Sequence, residues 1–76
     1  MYTLKLYEAG VFSTNLGGPV CSLSAAIEQM RLLTQGLGAE PTDEVVGCRW
    51  MRFGTTPCCV IIVNDIGVPI MSAKEV

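Results

Sequence analysis

Histidine is missing from this chain of 76 residues, and charge of either sign is scarce: five basic and seven acidic residues, 16% of the whole, leave a net charge of −2. Without histidine the commonest base at neutral pH is gone, and with it the Ser-His and Cys-His pairs of nucleophilic catalysis. The basic residues, Lys5, Arg31, Arg49, Arg52 and Lys74, are scattered. Nucleic-acid binding needs them clustered against phosphates, so direct contact with DNA or RNA is not expected. No run of Asp and Glu is dense enough to imitate a nucleic-acid backbone. The longest apolar run, residues 58–63, is six residues, against the roughly 20 that span a bilayer. The first ten residues alternate and carry Lys5 and Glu8 rather than the apolar stretch of a signal peptide. The chain is therefore expected to be cytoplasmic, and its start at Met1 reads as that of a complete small open reading frame.

What is present is apolar. Half of the residues are hydrophobic, too many for a disordered segment and a poor match to a fully solvated surface. One domain of this size buries only about 60% of its unfolded surface. Four cysteines, Cys21, Cys48, Cys58 and Cys59, would make two bridges in a secreted chain. With no secretion signal they are expected as free thiols in a reducing cytosol, each packing as a small hydrophobe.

Residues 2–8 alternate: Tyr2, Leu4 and Leu6 point one way, Thr3, Lys5 and Tyr7 the other, as in a half-buried strand. Ala9 and Gly10 punctuate it, and Val11–Asn15 reads as a short returning strand with Val11 and Ser13 opposite Phe12 and Thr14. Asn15, Leu16, Gly17, Gly18 and Pro19 form a loop. Ser22 or Ser24 caps a helix over 24–36, whose apolar stripe is Leu23, Ala26, Ile27, Met30, Leu33 and Leu37. Gly36 or Gly38 ends it. Residues 40–44 read as a polar, acidic loop.

Three further strands are expected over 45–53, 58–64 and 68–73, with Thr55 and Thr56 at the first hairpin tip and residues 64–67 at the second turn. In that register Phe53 pairs with Cys58, Cys48 with Val63, and Val63 with Val68. One face then carries Cys48, Trp50, Arg52, Cys59, Ile61, Val63, Val68, Ile70 and Ser72. The other carries Arg49, Met51, Phe53, Cys58, Val60, Ile62, Pro69, Met71 and Ala73. Both are apolar, while the single helix, about 20 Å long at 1.5 Å per residue, covers only one. The surplus face, or an exposed strand edge, is expected to bury itself against another chain, by default as a two-fold homodimer.

Chemistry is thinly supplied. Asp43, Glu44 and Asp65 lie in turns and read as solvated. Cys58 and Cys59, being adjacent, point to opposite faces, which suits no closed zinc site. A thiol enzyme would have to use Cys21, just before the helix, or Cys59, sharing a face with Arg52. Gly17, Gly18 and Ser22 precede a helix N-terminus, where anions bind. They match neither nucleotide-binding glycine pattern. With Arg49 or Arg52 they form the alternative site, for an anionic or nucleotide-like small molecule. The interaction surface is placed on Arg49, Trp50, Met51, Arg52 and Phe53, because Trp and Arg are enriched at interface hot spots and Met adapts to irregular partners.

The expected fold is α+β: an N-terminal strand or hairpin, one helix, and a three-stranded antiparallel meander packed on it, in one domain over 1–76. The expected function is non-enzymatic, without cofactor or metal, and consists of occupying another protein's surface. In size and style alone, the chain resembles the compact inhibitors of bacterial defence systems carried by phages and mobile elements.

Overall fold

The structure, a computed structural model, describes residues 1–36, 38–45, 51–53 and 56–75, with residues 51–53 and 74–75 described by their backbone. The elements run in the order β1 (Thr3–Glu8), β2 (Val11–Asn15), α1 (Leu23–Thr34), β3 (Ala39–Thr42), β4 (Met51–Phe53), β5 (Thr56–Val63) and β6 (Pro69–Glu75). The strands form one antiparallel sheet in the order β2-β1-β5-β6-β3, with β4 also paired to β5, and α1 packs on it. The fold is α+β, as the periodicity predicts.

β5 is the spine. Residues 58–63 are all buried, because an uninterrupted apolar run suits a strand covered on both faces. β1 lies along one edge, from Thr3 opposite Val63 to Glu8 opposite Cys58. Two strands share the other edge: β4 pairs with Thr56, Pro57 and Cys58, and β6 with Ile61, Ile62 and Val63. Alternation along β5 divides the interior. Val60 and Ile62 join Leu4, Ala26, Met30, Ala39 and Ala73 under the helix, whereas Cys59, Ile61 and Val63 form a second cluster against Tyr7.

That second cluster corrects the expectation of a surplus face. Cys59 is 0% exposed, Ile61 6% and Val63 5% within the single chain. Ser72, paired with Ile61 and therefore on the same side, donates its hydroxyl to the Glu44 carbonyl at 2.6 Å. The segment after β3, expected as a free acidic loop, thus bends back over the second face, its turn held by the Glu44 N–H donating to Thr42 Oγ1.

The registers also shift. Phe53 pairs with Thr56 and Met51 with Cys58, displaced by two residues from the expected pairing of Phe53 with Cys58. A displacement of two preserves the faces; a displacement of one would have reversed them. Val63 pairs with Pro69 rather than Val68, and an irregularity between Ile62 and Val63 leaves Ile70 as an extra residue. Such a bulge redirects a side chain, and Ile70 packs on the helix-side cluster instead of the second face. Val68 leaves the strand for the turn, where Asn64 Oδ1 accepts from the Ile66 and Val68 N–H groups and Gly67 adopts φ 82°. Of the strand expected over 45–53, Met51–Phe53 is seen, while the pairing of Cys48 with Val63 falls outside the described residues. β3 lies in the stretch expected to be loop. Its Pro41 is tolerated because an edge strand has an N–H position free of the ladder.

Ser22, not Ser24, caps α1: its extended backbone (φ −128°, ψ 151°) lets Oγ accept from the Ala25 N–H at 3.1 Å. The helix buries Ala26, Met30 and Thr34, while Leu33 is 43% exposed. At about 100° per residue, Thr34 lies about 40° from Met30 around the helix and Leu33 about 60°. Thr34 therefore takes the inner position, its hydroxyl satisfied by the Met30 carbonyl at 3.0 Å. Replacing Ser22 by alanine is expected to cost about 1 kcal/mol in urea denaturation. Ser24→Ala, at an exposed helical position, should change stability by a few tenths of that or less.

Candidate functional site: the β1–β2 hairpin

The hairpin turns on two residues, Ala9 (φ 51°) and Gly10 (φ 84°), with Glu8 and Val11 paired across them. Positive φ at both positions matches the right-handed twist of the flanking strands, and glycine takes its share without strain. β1 is anchored in the core by Leu4, which is 1% exposed, and it carries β2 to the rim of the sheet.

β2 has a different environment. All five of its residues are exposed, Val11 at 69% and Phe12 at 47%. Among the described residues no strand pairs with its outer side. The pairing passes from Leu6 with Thr14 to Tyr7 with Phe12, leaving Ser13 as a bulge. The bulge breaks the alternation expected for this strand, so Phe12 and Thr14 face opposite sides. Phe12 stands edge-on to Tyr7, ring centroids 5.8 Å apart at 73°, and the Lys5 ammonium lies 5.3 Å from its centroid. These contacts hold the ring in one orientation at modest cost in side-chain freedom. β2 contains neither a charged residue nor proline, the usual guards of an exposed strand edge. The opposite edge, β3, carries Glu40 and Pro41.

The residues chosen from sequence fall elsewhere. Arg49 and Trp50 lie outside the described residues, while Met51, Arg52 and Phe53 form β4 against the start of β5. Gly17, Gly18 and Ser22 gather at the other end of that strand. The Leu16 N–H donates to the Leu4 carbonyl, Val20 bridges to Tyr2, and Leu4 is opposite Ile62. Arg52 is opposite Pro57, five residues along β5 from Ile62, or about 16 Å at about 3.3 Å per residue. The structure therefore does not bring the Arg52 backbone beside the glycine loop. In that loop Ser22 Oγ is occupied by its cap, and Gln29 Nε2 donates to the Leu16 carbonyl at 3.5 Å.

Two clefts lie away from these residues. A cavity of about 560 Å³ at the helix C-terminus is lined by Glu28, Arg31, Leu32, Gln35 and Glu40 among others, and Arg31 there is already paired with Glu28 at 2.9 Å. A smaller one of about 230 Å³ lies between Met1, Tyr2 and the Asn64–Ile66 turn, where the terminal ammonium meets Asp65 at 2.6 Å. Among the described residues no three His, Cys, Asp or Glu side chains gather as metal ligands, and no helix is long and apolar enough to cross a membrane.

The free thiols expected at all four cysteines are not what the structure has. Cys21 and Cys58 are free, but Cys59 is disulfide-bonded. Its side chain points into the second face, away from the helix and from its neighbour Cys58. Alternation alone assigns it to that face; only the tertiary arrangement joins it to another sulfur.

Period-2 patterning locates β1 and β2, but the hairpin is missed as a surface because its exposure depends on which strands find neighbours. An edge strand without charge or proline was the signal available. The chain matches no protein-family model, no curated protein and no solved structure.

Proposed function

We propose that this chain is a non-enzymatic protein-binding protein that acts by covering a partner's surface, with the β1–β2 hairpin as its contact. The observation that supports this most directly is β2 itself: an edge strand with every residue exposed, no charge, and Val11 and Phe12 standing just after a two-residue turn. The Ser13 bulge divides the free edge into two short stretches. Side-chain contacts from Val11 and Phe12 therefore supply the affinity more than extension of the sheet does. Burying a side chain of this kind is worth roughly 1.5–3 kcal/mol, and a few such residues carry most of an interface. Inhibition by occlusion is the form of activity this surface suits, since it needs no reacting group. Two copies joined through their hairpins would form a two-fold dimer.

The test is a double variant, Val11→Lys with Phe12→Lys, made beside a control, Leu32→Lys, at a helix position 63% exposed. Both should fold as the wild type does by circular dichroism. Association, read as self-association by light scattering over a concentration series or as capture of a foreign protein, should be lost in the hairpin variant and kept in the control. Equal association in all three proteins would remove the hairpin from consideration. The same comparison with Trp50→Ala or Arg52→Glu tests the strand chosen from sequence.

The alternative, a binder of an anionic small molecule through Gly17, Gly18, Ser22 and Arg49 or Arg52, draws less support. Arg52 and the glycine loop lie toward opposite ends of β5.

A further inference from the structure

From the side of the hairpin that faces away from the helix, we infer that its partner is a foreign protein segment bearing a carboxylate beside an apolar side chain, with Lys5 as the residue that selects the charge. The inference rests on the reading of the hairpin as the contact and adds what that contact takes. Alternation puts Lys5 and Tyr7 on one side of β1, and Asn15 and Phe12 stand opposite them in β2. Phe12 is 47% exposed and edge-on to Tyr7, with the Lys5 ammonium 5.3 Å from its ring centroid. The patch thus offers an apolar ring and a cation side by side. None of these residues is acidic. Glu8, the acidic residue of the hairpin, lies opposite Cys58, two places beyond Leu6 and so on the helix side of the strand. Among the described residues Lys5 joins no ion pair; the pairs there link Met1 to Asp65 and Arg31 to Glu28.

The ring contact steadies the ammonium without neutralising it. A lysine has three N–H donors, and a carboxylate can accept from those not aimed at the ring. An apolar side chain laid on Phe12 would exclude water from that pair, and the attraction strengthens as the surroundings lose solvent. The same patch suits a second copy poorly. A two-fold interface sets one patch against itself. Here that would bring the two Lys5 ammoniums together with no acid on the patch to meet either, and like charges opposed across an interface repel. A patch with charge of one sign calls for a partner with the other. A nucleic acid would offer phosphate instead of carboxylate, but one lysine falls far short of the clustered cations that phosphate contacts need.

The probe is a displayed library of random peptides, selected on the immobilised whole protein. Enriched peptides are then synthesised, and their affinity is read by fluorescence anisotropy for the wild type, Phe12→Ala, Lys5→Met and Lys5→Glu, each checked for folding by circular dichroism. Lys5→Met keeps an unbranched stem and removes the charge. The enriched peptides should carry Asp or Glu next to an aromatic or aliphatic residue. Their affinity should fall by about 5-fold in Lys5→Met and further in Lys5→Glu. Lysine in place of the peptide's acid should restore binding to Lys5→Glu. The amide in place of that acid should cost the wild type as much as Lys5→Met does, a comparison that needs no variant to fold. Peptides that require Phe12 but bind Lys5→Glu as they bind the wild type overturn the inference and leave the hairpin as the contact. Peptides that bind Phe12→Ala unchanged remove the hairpin, and the inference with it, as does a selection that enriches nothing. A wild-type dimer in light scattering that Phe12→Ala dissociates would put a second copy on the patch. Binding of an oligothymidylate that Lys5→Glu abolishes would put a nucleic acid there. Either result overturns the inference.

Discussion

Ile62→Ala should destabilise this protein by about 2–5 kcal/mol, the range for truncating a fully buried aliphatic side chain. Ile62 is 0% exposed and lies in the middle of the helix-side cluster, between Leu4 of the neighbouring strand and Met30 of the helix. Its loss removes both the transfer energy of the methylenes and the contacts around the cavity left behind. The surroundings are poorly placed to relax, since β5 is held by strands on both edges. In a domain of this size each kcal/mol moves the melting temperature by roughly 4–8 °C, so the fall should be in the tens of degrees. Ile66→Ala is the matched control: the same substitution at the tip of a turn, 82% exposed, should change the midpoint little. Thermal and urea denaturation of the three proteins measure this directly. Equal midpoints for Ile62→Ala and Ile66→Ala would mean that the helix is not packed on β5 as described.

The second large effect separates two adjacent glycines. Gly17 has φ 78°, and a Cβ built on it would lie 2.5 Å from Gln29 Nε2; Gly18 has neither constraint. Gly17→Val puts a β-branched residue in the left-handed region, where strain costs about 1–3 kcal/mol. The valine also displaces the Gln29 amide from the Leu16 carbonyl. That amide is a flexible end and yields at small cost, so backbone strain dominates. Gly18→Ala should be close to neutral. Urea midpoints for the two variants give the comparison, and an unchanged Gly17→Val protein would contradict the conformation of the loop. The result bears on function as well. Gly17 is required by the turn that leads from β2 to the helix, so its presence before a helix N-terminus is explained without a bound anion.

The parts legible in the sequence are those decided within a few residues. Alternation in β1 puts Leu4 and Tyr7 on opposite sides of the strand, as observed. The capping serine, the glycines that end the helix and the turn at Gly67 follow from local backbone chemistry. The misread positions have a common origin. Ile70 changes face because of one bulge, and Phe12 and Thr14 part because of another. A bulge is set by how two distant strands fit, not by either alone. β3 is hidden by its proline and by its length of four residues.

For the candidate site the balance tips further toward tertiary structure. Trp and Arg on one strand draw attention to residues 49–53 because side-chain type is visible in sequence. The free edge of β2 is not visible, since exposure is a property of what fails to pack against a strand.

Sequence by itself determined the α+β class, the single helix with its cap, the strand periodicity and the two apolar faces of β5, because each depends on side-chain spacing along a short stretch. Tertiary structure alone decided that β1 pairs with β5 across more than fifty residues, and that β2 lies at the edge. It also decided that Cys59 is bonded and that Cys59, Ile61 and Val63 on the second face are buried within the single chain. The physical reason is that the hydrophobic effect is non-directional. It requires both faces to be buried, but which segment buries each is chosen by chain connectivity and the geometry of closure.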